Sequence, residues 1–177
     1  VYDGTTTATT TLTFTGLVGS ETLVQTVAST FDTKNYGSSK TVTVNSITLA
    51  DGTNGGLVAN YSISPGQTTT AHISKKLLTV SSISASNKTY DGNNTATSTI
   101  SLLGFIGTET VISSNLSSFN NKNVGIGKTI IVNSITLANG TNGGLAANYS
   151  VPTGQTTTAS ITAKALSVSG ITASNKI

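Results

Sequence analysis

The sequence predicts an all-β protein built from two tandem small modules in line, each β-sandwich-like in the immunoglobulin manner. Three observations predict it: an internal duplication, short runs of alternating β-branched residues, and a composition almost without charge. Residues 1–88 align with residues 89–176 without a gap, and 51 of the 88 positions are identical. Tandem copies this similar indicate a modular array. A unit of 88 residues is long enough to close its own small core, unlike solenoid repeats of 20–50 residues.

Each copy reads as short β runs separated by turn residues. In the first run, Leu12 and Phe14 fall on one face and Thr11 and Thr13 on the other, a period of two that suits a pleated strand. The runs predicted as strands in the first copy are residues 7–14, 40–49, 57–64, 68–75 and 77–80. The segment 51–56 (DGTNGG) is rich in residues that tolerate positive φ and predicts a turn.

Residues 21–31 (ETLVQTVASTF) leave one alternative open. Leu23, Val24 and Val27 fit a helical face as well as a strand. A helix here would make each module a β-grasp-like α+β unit instead of an all-β sandwich. The all-β interpretation is favoured.

The domain boundaries follow from the repeat. We place the first module at residues 1–81, the second at residues 82–169, and the start of a following module at residues 170–177. The segment 83–88 (ISASNK) returns as 171–176 (ITASNK). If it is the first strand of the next unit, the first module lacks its own copy, and such a strand can pair with an open edge in a neighbouring chain.

The composition excludes several classes of protein. Only 8% of residues are charged, against roughly 25% in an ordinary globular domain. Nine lysines are spread along both copies and arginine is absent, which argues against nucleic-acid binding. The absence of cysteine removes disulfide and thiolate-metal chemistry. No apolar run reaches the roughly 20 residues of a membrane span, so no membrane insertion of this fragment is expected.

Catalytic groups are scarce. Of the six acids only the pairs Asp3/Asp91 and Glu21/Glu109 recur in both copies. A glycosidase needs two carboxylates that flank one bond, but nothing else in the sequence suggests a cleft. The lone histidine, His72, has Ser160 at its equivalent position. Asp51 begins a segment similar to a Ca²⁺ loop, but the downstream bidentate Glu is missing. We expect no enzyme activity, no catalytic residue, no cofactor and no metal site.

A signature triplet, Tyr-Asp-Gly, and a dipeptide, Asn-Tyr, recur in both copies. The structural interpretation is that the Tyr ring packs at the end of a unit, Asp caps a turn and Gly adopts a conformation closed to other residues; the functional alternative is an aromatic that faces a ligand. The marker residues are Tyr2, Asp3, Gly4, Asn60 and Tyr61, with Tyr90, Asp91, Gly92, Asn148 and Tyr149 in the second copy.

Recurring lysines and asparagines raise a further hypothesis, a covalent Lys–Asn crosslink that would make each module a mechanical clip. The ordinary alternative is a lysine on a solvated strand face. The residues concerned are Lys34, Lys40, Lys76, Asn45 and Asn60, with Lys122, Lys128, Lys164, Asn133 and Asn148 in the second copy.

Taken in order, these motifs resemble a known family. K-x-Y-D-G-x-x-T-A-T at residues 88–97, the A-N-Y-S segment and I-x-x-K-x-L are similar to the YDG repeats of large bacterial adhesins, the stalk modules of filamentous-haemagglutinin-type exoproteins. The resemblance covers essentially the whole chain, twice. It implies secretion to the bacterial cell surface and a role as spacer or adhesive module, and it brings no catalytic site.

The expected function is therefore a non-enzymatic stalk that extends an adhesive tip from the cell, with neighbouring repeats as its partners. One alternative is that each repeat weakly binds a glycan or a host protein and gains strength through multivalency. Another is self-assembly with other copies of the chain into a fibre or biofilm matrix through strand edges.

Overall fold

A computed structural model describes all residues from 1 to 177 and shows an all-β chain, as the sequence predicts. The two short 3-10 helices are Val58–Asn60 and Ala146–Asn148. The strands are β1 (Thr7–Ala8), β2 (Leu23–Phe31), β3 (Gly37–Asp51), β4 (Thr68–Ile73), β5 (Lys76–Leu77), β6 (Thr79–Ala85), β7 (Lys88–Thr89), β8 (Thr95–Ala96), β9 (Ser98–Leu103), β10 (Val111–Phe119), β11 (Gly125–Asn139), β12 (Tyr149–Ser150) and β13 (Thr156–Thr162).

The chain divides into two compact units. The first unit comprises residues 1–76 together with 147–150, and the second comprises residues 77–146 and 151–177. A four-residue piece of the second repeat therefore belongs to the first unit. The short strand β12 within it pairs with β5.

The first unit is built on a four-stranded antiparallel sheet in the order β1-β2-β3-β4. The long hairpin β2–β3 runs from the pair Leu23↔Asp51 to the pair Phe31↔Val42, with a bulge between Ala28 and Ser29. Val42 and Val44, two residues apart on β3, are both buried with Ile73 of β4. The core thus lies on one face of the sheet, as the period of two requires.

The second unit repeats that hairpin in the same register, from Val111↔Asn139 to Phe119↔Ile130, with its bulge at the equivalent place after Leu116. Its sheet has five strands in the order β7-β13-β11-β10-β8, in which β13 and β7 are parallel. A two-stranded ribbon of β6 and β9 contacts β13 and β10. The second unit is therefore two layers deep.

The core of the second unit lies between those layers. It is a cluster of residues from β10, β11 and β13, with Ala85 of β6 and the partly buried Tyr90 packed against it. The cluster residues are Phe119, Ile130, Ala159 and Ile161.

Two local predictions are settled by the structure. Residues 21–31 contain a strand, Leu23–Phe31, so the helix that a β-grasp-like unit needs does not form. The strand predicted at 57–64 is wrong, because the 3-10 helix Val58–Asn60 lies there. The Asp51 carboxylate accepts a hydrogen bond from the Val58 N–H at 2.7 Å, which turns the backbone away from a sheet ladder.

The first predicted strand is only partly formed. Within residues 7–14 the structure has the two-residue strand Thr7–Ala8. Leu12 and Phe14 nevertheless are half-buried while Thr11 and Thr13 are exposed, so the alternation of faces is present without the ladder. β3 is longer than the predicted 40–49 because it is paired at both of its ends, with β4 at Gly37 and with β2 at Asp51.

Candidate functional site

The signature triplet of the first copy forms a tight turn at the start of the first unit. Tyr2 is 1% exposed and its backbone N–H donates to the Ser74 carbonyl at 2.8 Å. The Asp3 carboxylate accepts from the N–H and the hydroxyl of Thr5, at 2.8 and 2.9 Å. These bonds from Thr5 lower the pKa of Asp3. Gly4 has a φ of 84°, which a residue with a Cβ adopts only under strain.

In the second copy a lysine contacts the same turn. Lys88 Nζ lies 2.8 Å from Asp91 Oδ1 and 2.9 Å from both the carbonyl and the side-chain oxygen of Asn93. The ammonium also lies 5.7 Å from the centre of the Phe119 ring, within the range of a cation–π contact. The hydrogen bond from Lys88 is the main cause that lowers the pKa of Asp91. Lys88 thereby closes the turn over the core of the second unit.

This arrangement predicts a pH-dependent role for Lys88. Because the pKa of Asp91 is lowered in the folded state, its contribution is present above the unfolded value of about 3.9 and is lost as the pH falls through the folded value. We expect Lys88→Met to lower the melting temperature of the second unit at pH 7 and to have a smaller effect at pH 2. Circular dichroism melts at the two pH values measure this.

The matched control for that experiment is Lys122→Met, since Lys122 is an exposed lysine of the same unit. Titration of the Asp91 carboxyl by NMR should show its pKa rising toward the ordinary value in Lys88→Met alone. An unchanged Asp91 titration in that variant would contradict the role assigned to Lys88.

The Asn-Tyr dipeptide has two environments. Asn148 and Tyr149 belong to the first unit and are 0% and 1% exposed. Asn148 accepts from the Tyr36 N–H at 2.9 Å and donates to Asn35 Oδ1 at 3.1 Å. The Tyr149 ring meets Tyr2 edge-on, with ring centres 5.6 Å apart, a favourable aromatic geometry.

The first-copy dipeptide is less buried. Asn60 is exposed and Tyr61 is half-buried. The Tyr61 hydroxyl donates to the Glu21 carboxylate and accepts from the Val18 N–H at 3.1 Å. The bond to Glu21 raises the pKa of Tyr61, because the ionised phenol could not donate it.

Several lysines and asparagines of the crosslink hypothesis have defined contacts, and none of these contacts joins a lysine and an asparagine of that set. Lys40 lies 2.9 Å from Asp32 and donates to the Thr33 hydroxyl at 2.6 Å, and Lys128 donates to Asn121 at 2.6 Å. On the strand face, Asn45 donates to Thr30 and Asn133 to Ser118, at 3.0 and 3.1 Å. Lys34 and Lys76 are half-buried, and Lys122 and Lys164 are exposed.

The DGTNGG turn has the same geometry in both copies. Asp51 accepts from the Val58 N–H, and Asn139, its equivalent, accepts from the Ala146 N–H at 2.9 Å. In each copy the bond needs only one side-chain oxygen as acceptor, and both Asp and Asn provide one. This explains why Asp in the first copy is replaced by Asn in the second. The positive φ values fall on Asn54 and Gly55. No group of three or more potential metal-binding side chains occurs in the chain.

One difference between the copies was not visible in the sequence. The segment GQTTTA occurs at residues 66–71 and 154–159, yet Ala71 is exposed and Ala159 is 6% exposed. In the second unit the Thr157 hydroxyl donates to the Ile83 carbonyl at 3.4 Å, and the Ser160 N–H donates to Asn87 Oδ1 at 2.7 Å. Segment 79–88 thus covers one edge and face of the second unit.

Comparison with known proteins identifies a domain family. A family model described as the YDG domain matches the chain twice, over residues 1–71 and 74–159. No curated protein and no solved structure matches the chain. None of its helices has the length and apolar character needed to cross a membrane.

Proposed function

The chain belongs to the YDG-domain family and carries two of its domains, and we propose that these domains are spacer repeats of a bacterial cell-surface adhesin. In this role the repeats set the distance between the cell surface and the adhesive tip, and they catalyse no reaction. The tip that the spacer carries would lie elsewhere in the protein. Secretion and surface display form part of the same proposal.

The observation that carries the proposal is the length of one strand of the hairpin, which is the same in both units. β3 and β11 each contain 15 residues, which at about 3.4 Å per residue is about 50 Å. A compact unit of about 90 residues has a radius of gyration near 12 Å, corresponding to a diameter of about 30 Å. A strand of this length therefore makes each unit long for its size, which suits a spacer.

Composition and contacts support the same role. The chain has few charges and no cysteine, so its solubility depends on the many hydroxyls and amides of its strands. Within the first unit, Asn148 and Tyr149 of the second repeat are buried against Asn35, Tyr36 and Tyr2.

Small-angle X-ray scattering tests the proposal. A spacer requires the units to follow one another in line, and the proposal therefore predicts a maximum dimension of about 100 Å and a radius of gyration well above the roughly 16 Å of a compact 177-residue protein. Addition of a third repeat should lengthen the particle by a constant increment. A radius of gyration near 16 Å would contradict a spacer and would favour a single globule.

A further inference from the structure

We propose that Asn142 in the second unit is a modification site, at which the side-chain amide is lost spontaneously as ammonia and a carboxylate takes its place. The only co-reactant is water. Asn139, three positions earlier in the same turn, is also followed by glycine, but the fold protects it. This chemistry requires neither the spacer role nor any cellular location.

An asparagine followed by glycine can react through its own backbone. The glycine nitrogen gives up its proton and attacks the side-chain carbonyl carbon of the asparagine, so that one C–N bond forms and the bond to the amide nitrogen breaks. Ammonia leaves with the proton, and a succinimide ring remains. Water then opens the ring at either carbonyl, which gives aspartate or isoaspartate. Glycine favours the attack because it has no Cβ to block the approach of its nitrogen.

The sequence offers three candidates for this reaction. Asn54, Asn139 and Asn142 are each followed by glycine. Asn139 and Asn142 belong to the same turn of the same unit and are both exposed. Their local sequences and their access to water are therefore alike, and only the hydrogen bonds of the turn distinguish them.

The backbone nitrogen that would attack Asn142 is free. Gly143 is exposed and its N–H makes no hydrogen bond. A single hydrogen bond holds this tip of the turn, from Asn142 Nδ2 to the Thr108 carbonyl at 2.9 Å. The tip can therefore open by breaking one bond, while the rest of the turn stays in place.

The backbone nitrogen that would attack Asn139 is occupied. The Gly140 N–H donates to the Gly144 carbonyl at 2.9 Å, and Asn139 Oδ1 accepts from the Ala146 N–H at 2.9 Å. Gly140 is also half-buried, and a Cβ on it would lie 2.2 Å from the Thr110 carbonyl oxygen. Both bonds must break before Asn139 can cyclise, and each lowers the open population about fivefold.

An acid has different consequences at the two positions. Asn139 contributes a side-chain oxygen, as its first-copy equivalent Asp51 does, so an acid at this position keeps the bond. Asn142 contributes its Nδ2 as a donor, and its equivalent Asn54 does the same. A carboxylate only accepts, so at position 142 it would repel the Thr108 carbonyl oxygen. Loss of the amide at Asn142 therefore releases the tip of the turn.

Peptide mapping by tandem mass spectrometry tests the site. The full chain is aged in a mildly alkaline buffer, once folded and once in urea, and the replacement of NH by O is assigned to each asparagine. In urea both residues are unstructured and should convert at similar rates. In the folded chain we expect Asn142 to convert at least about tenfold faster than Asn139, because two further bonds protect Asn139.

The denatured sample is the control that separates the effect of the fold from the effect of the sequence. Similar rates at Asn139 and Asn142 in the folded chain would overturn the proposal, as would faster conversion of Asn139. Conversion of neither residue in the folded chain, with conversion of both in urea, would also overturn it.

Two variants test the consequence of the modification. Asn142→Asp and Asn139→Asp add the same charge to the same turn. We expect hydrogen exchange at the Thr110 amide, which donates to the Thr141 carbonyl at 3.2 Å, to be at least about fivefold faster in Asn142→Asp. In Asn139→Asp the rate should remain within about twofold of the unmodified chain, because the bond to Ala146 is kept. Equal acceleration in the two variants would overturn the donor role assigned to Asn142.

Discussion

Phe119→Ala should lower the free energy of unfolding of the second unit by about 3–5 kcal/mol, the usual loss for a buried phenylalanine. Phe119 is 1% exposed and packs in one cluster with Ile130, Ala159 and Ile161. Removal of its ring would leave a cavity between two β layers whose backbones are fixed by hydrogen bonds, so little collapse is possible. Hydrogen exchange at the Ile130 amide in the native protein measures the loss in this unit alone.

The matched control is Phe31→Ala, the equivalent substitution in the first unit. Phe31 is only half-buried, so its truncation should cost about 2 kcal/mol. The difference arises from the residues packed against the second cluster, of which Ala85 lies on β6. Losses of equal size in the two variants would contradict the idea that segment 79–88 completes the core of the second unit.

Gly144→Ala should destabilise the second unit by about 3 kcal/mol, at the upper end of the range for overpacking. A Cβ on Gly144 would lie 1.8 Å from the Thr110 carbonyl oxygen, and one on Gly140 would lie 2.2 Å from the same atom. The turn wraps around Thr110, whose N–H donates to the Thr141 carbonyl at 3.2 Å. Because the obstacle is backbone inside a hydrogen-bonded loop, it cannot move aside cheaply.

Gly125→Ala provides the comparison for that variant. A Cβ there would meet only the side chain of Lys128 at 3.2 Å, and a flexible side chain can shift, so the expected loss is below about 1 kcal/mol. Urea unfolding followed by circular dichroism measures both variants. A Gly144→Ala protein as stable as Gly125→Ala would show that the loop rearranges freely around Thr110.

The sequence predicted the role of one glycine in the DGTNGG turn but not the role of two others. The pattern predicted a turn that tolerates positive φ, and Asn54 and Gly55 have that conformation. Gly52 and Gly56 are there for another reason, since a Cβ on either would lie 2.0 Å from the Thr22 carbonyl. Thr22 is about 30 residues away in the sequence, so no local pattern could show that these two glycines make room for it.

The error at residues 57–64 has a similar origin. The run LVANYSIS has the apolar alternation of a strand, but the side chain of Asp51 takes the Val58 N–H and a 3-10 turn forms. In the equivalent place of the second copy, Ala146–Asn148 is also a 3-10 helix, and two residues of strand follow it. A capping side chain seven residues upstream outweighed a weak strand preference.

The sequence by itself determined the duplication, the all-β class, the turn positions and the alternation of faces, because these depend on repeat identity and on the two-residue period of a strand. Only the tertiary structure decided which of two identical segments becomes buried. TTTA is covered in the second unit by segment 79–88. Within the second ANYS segment, Asn148 and Tyr149 are buried by Tyr2, Asn35 and Tyr36. The burial of these segments depends on contacts with residues more than 70 positions away in the sequence. Two identical segments are therefore buried to different extents when their distant neighbours differ.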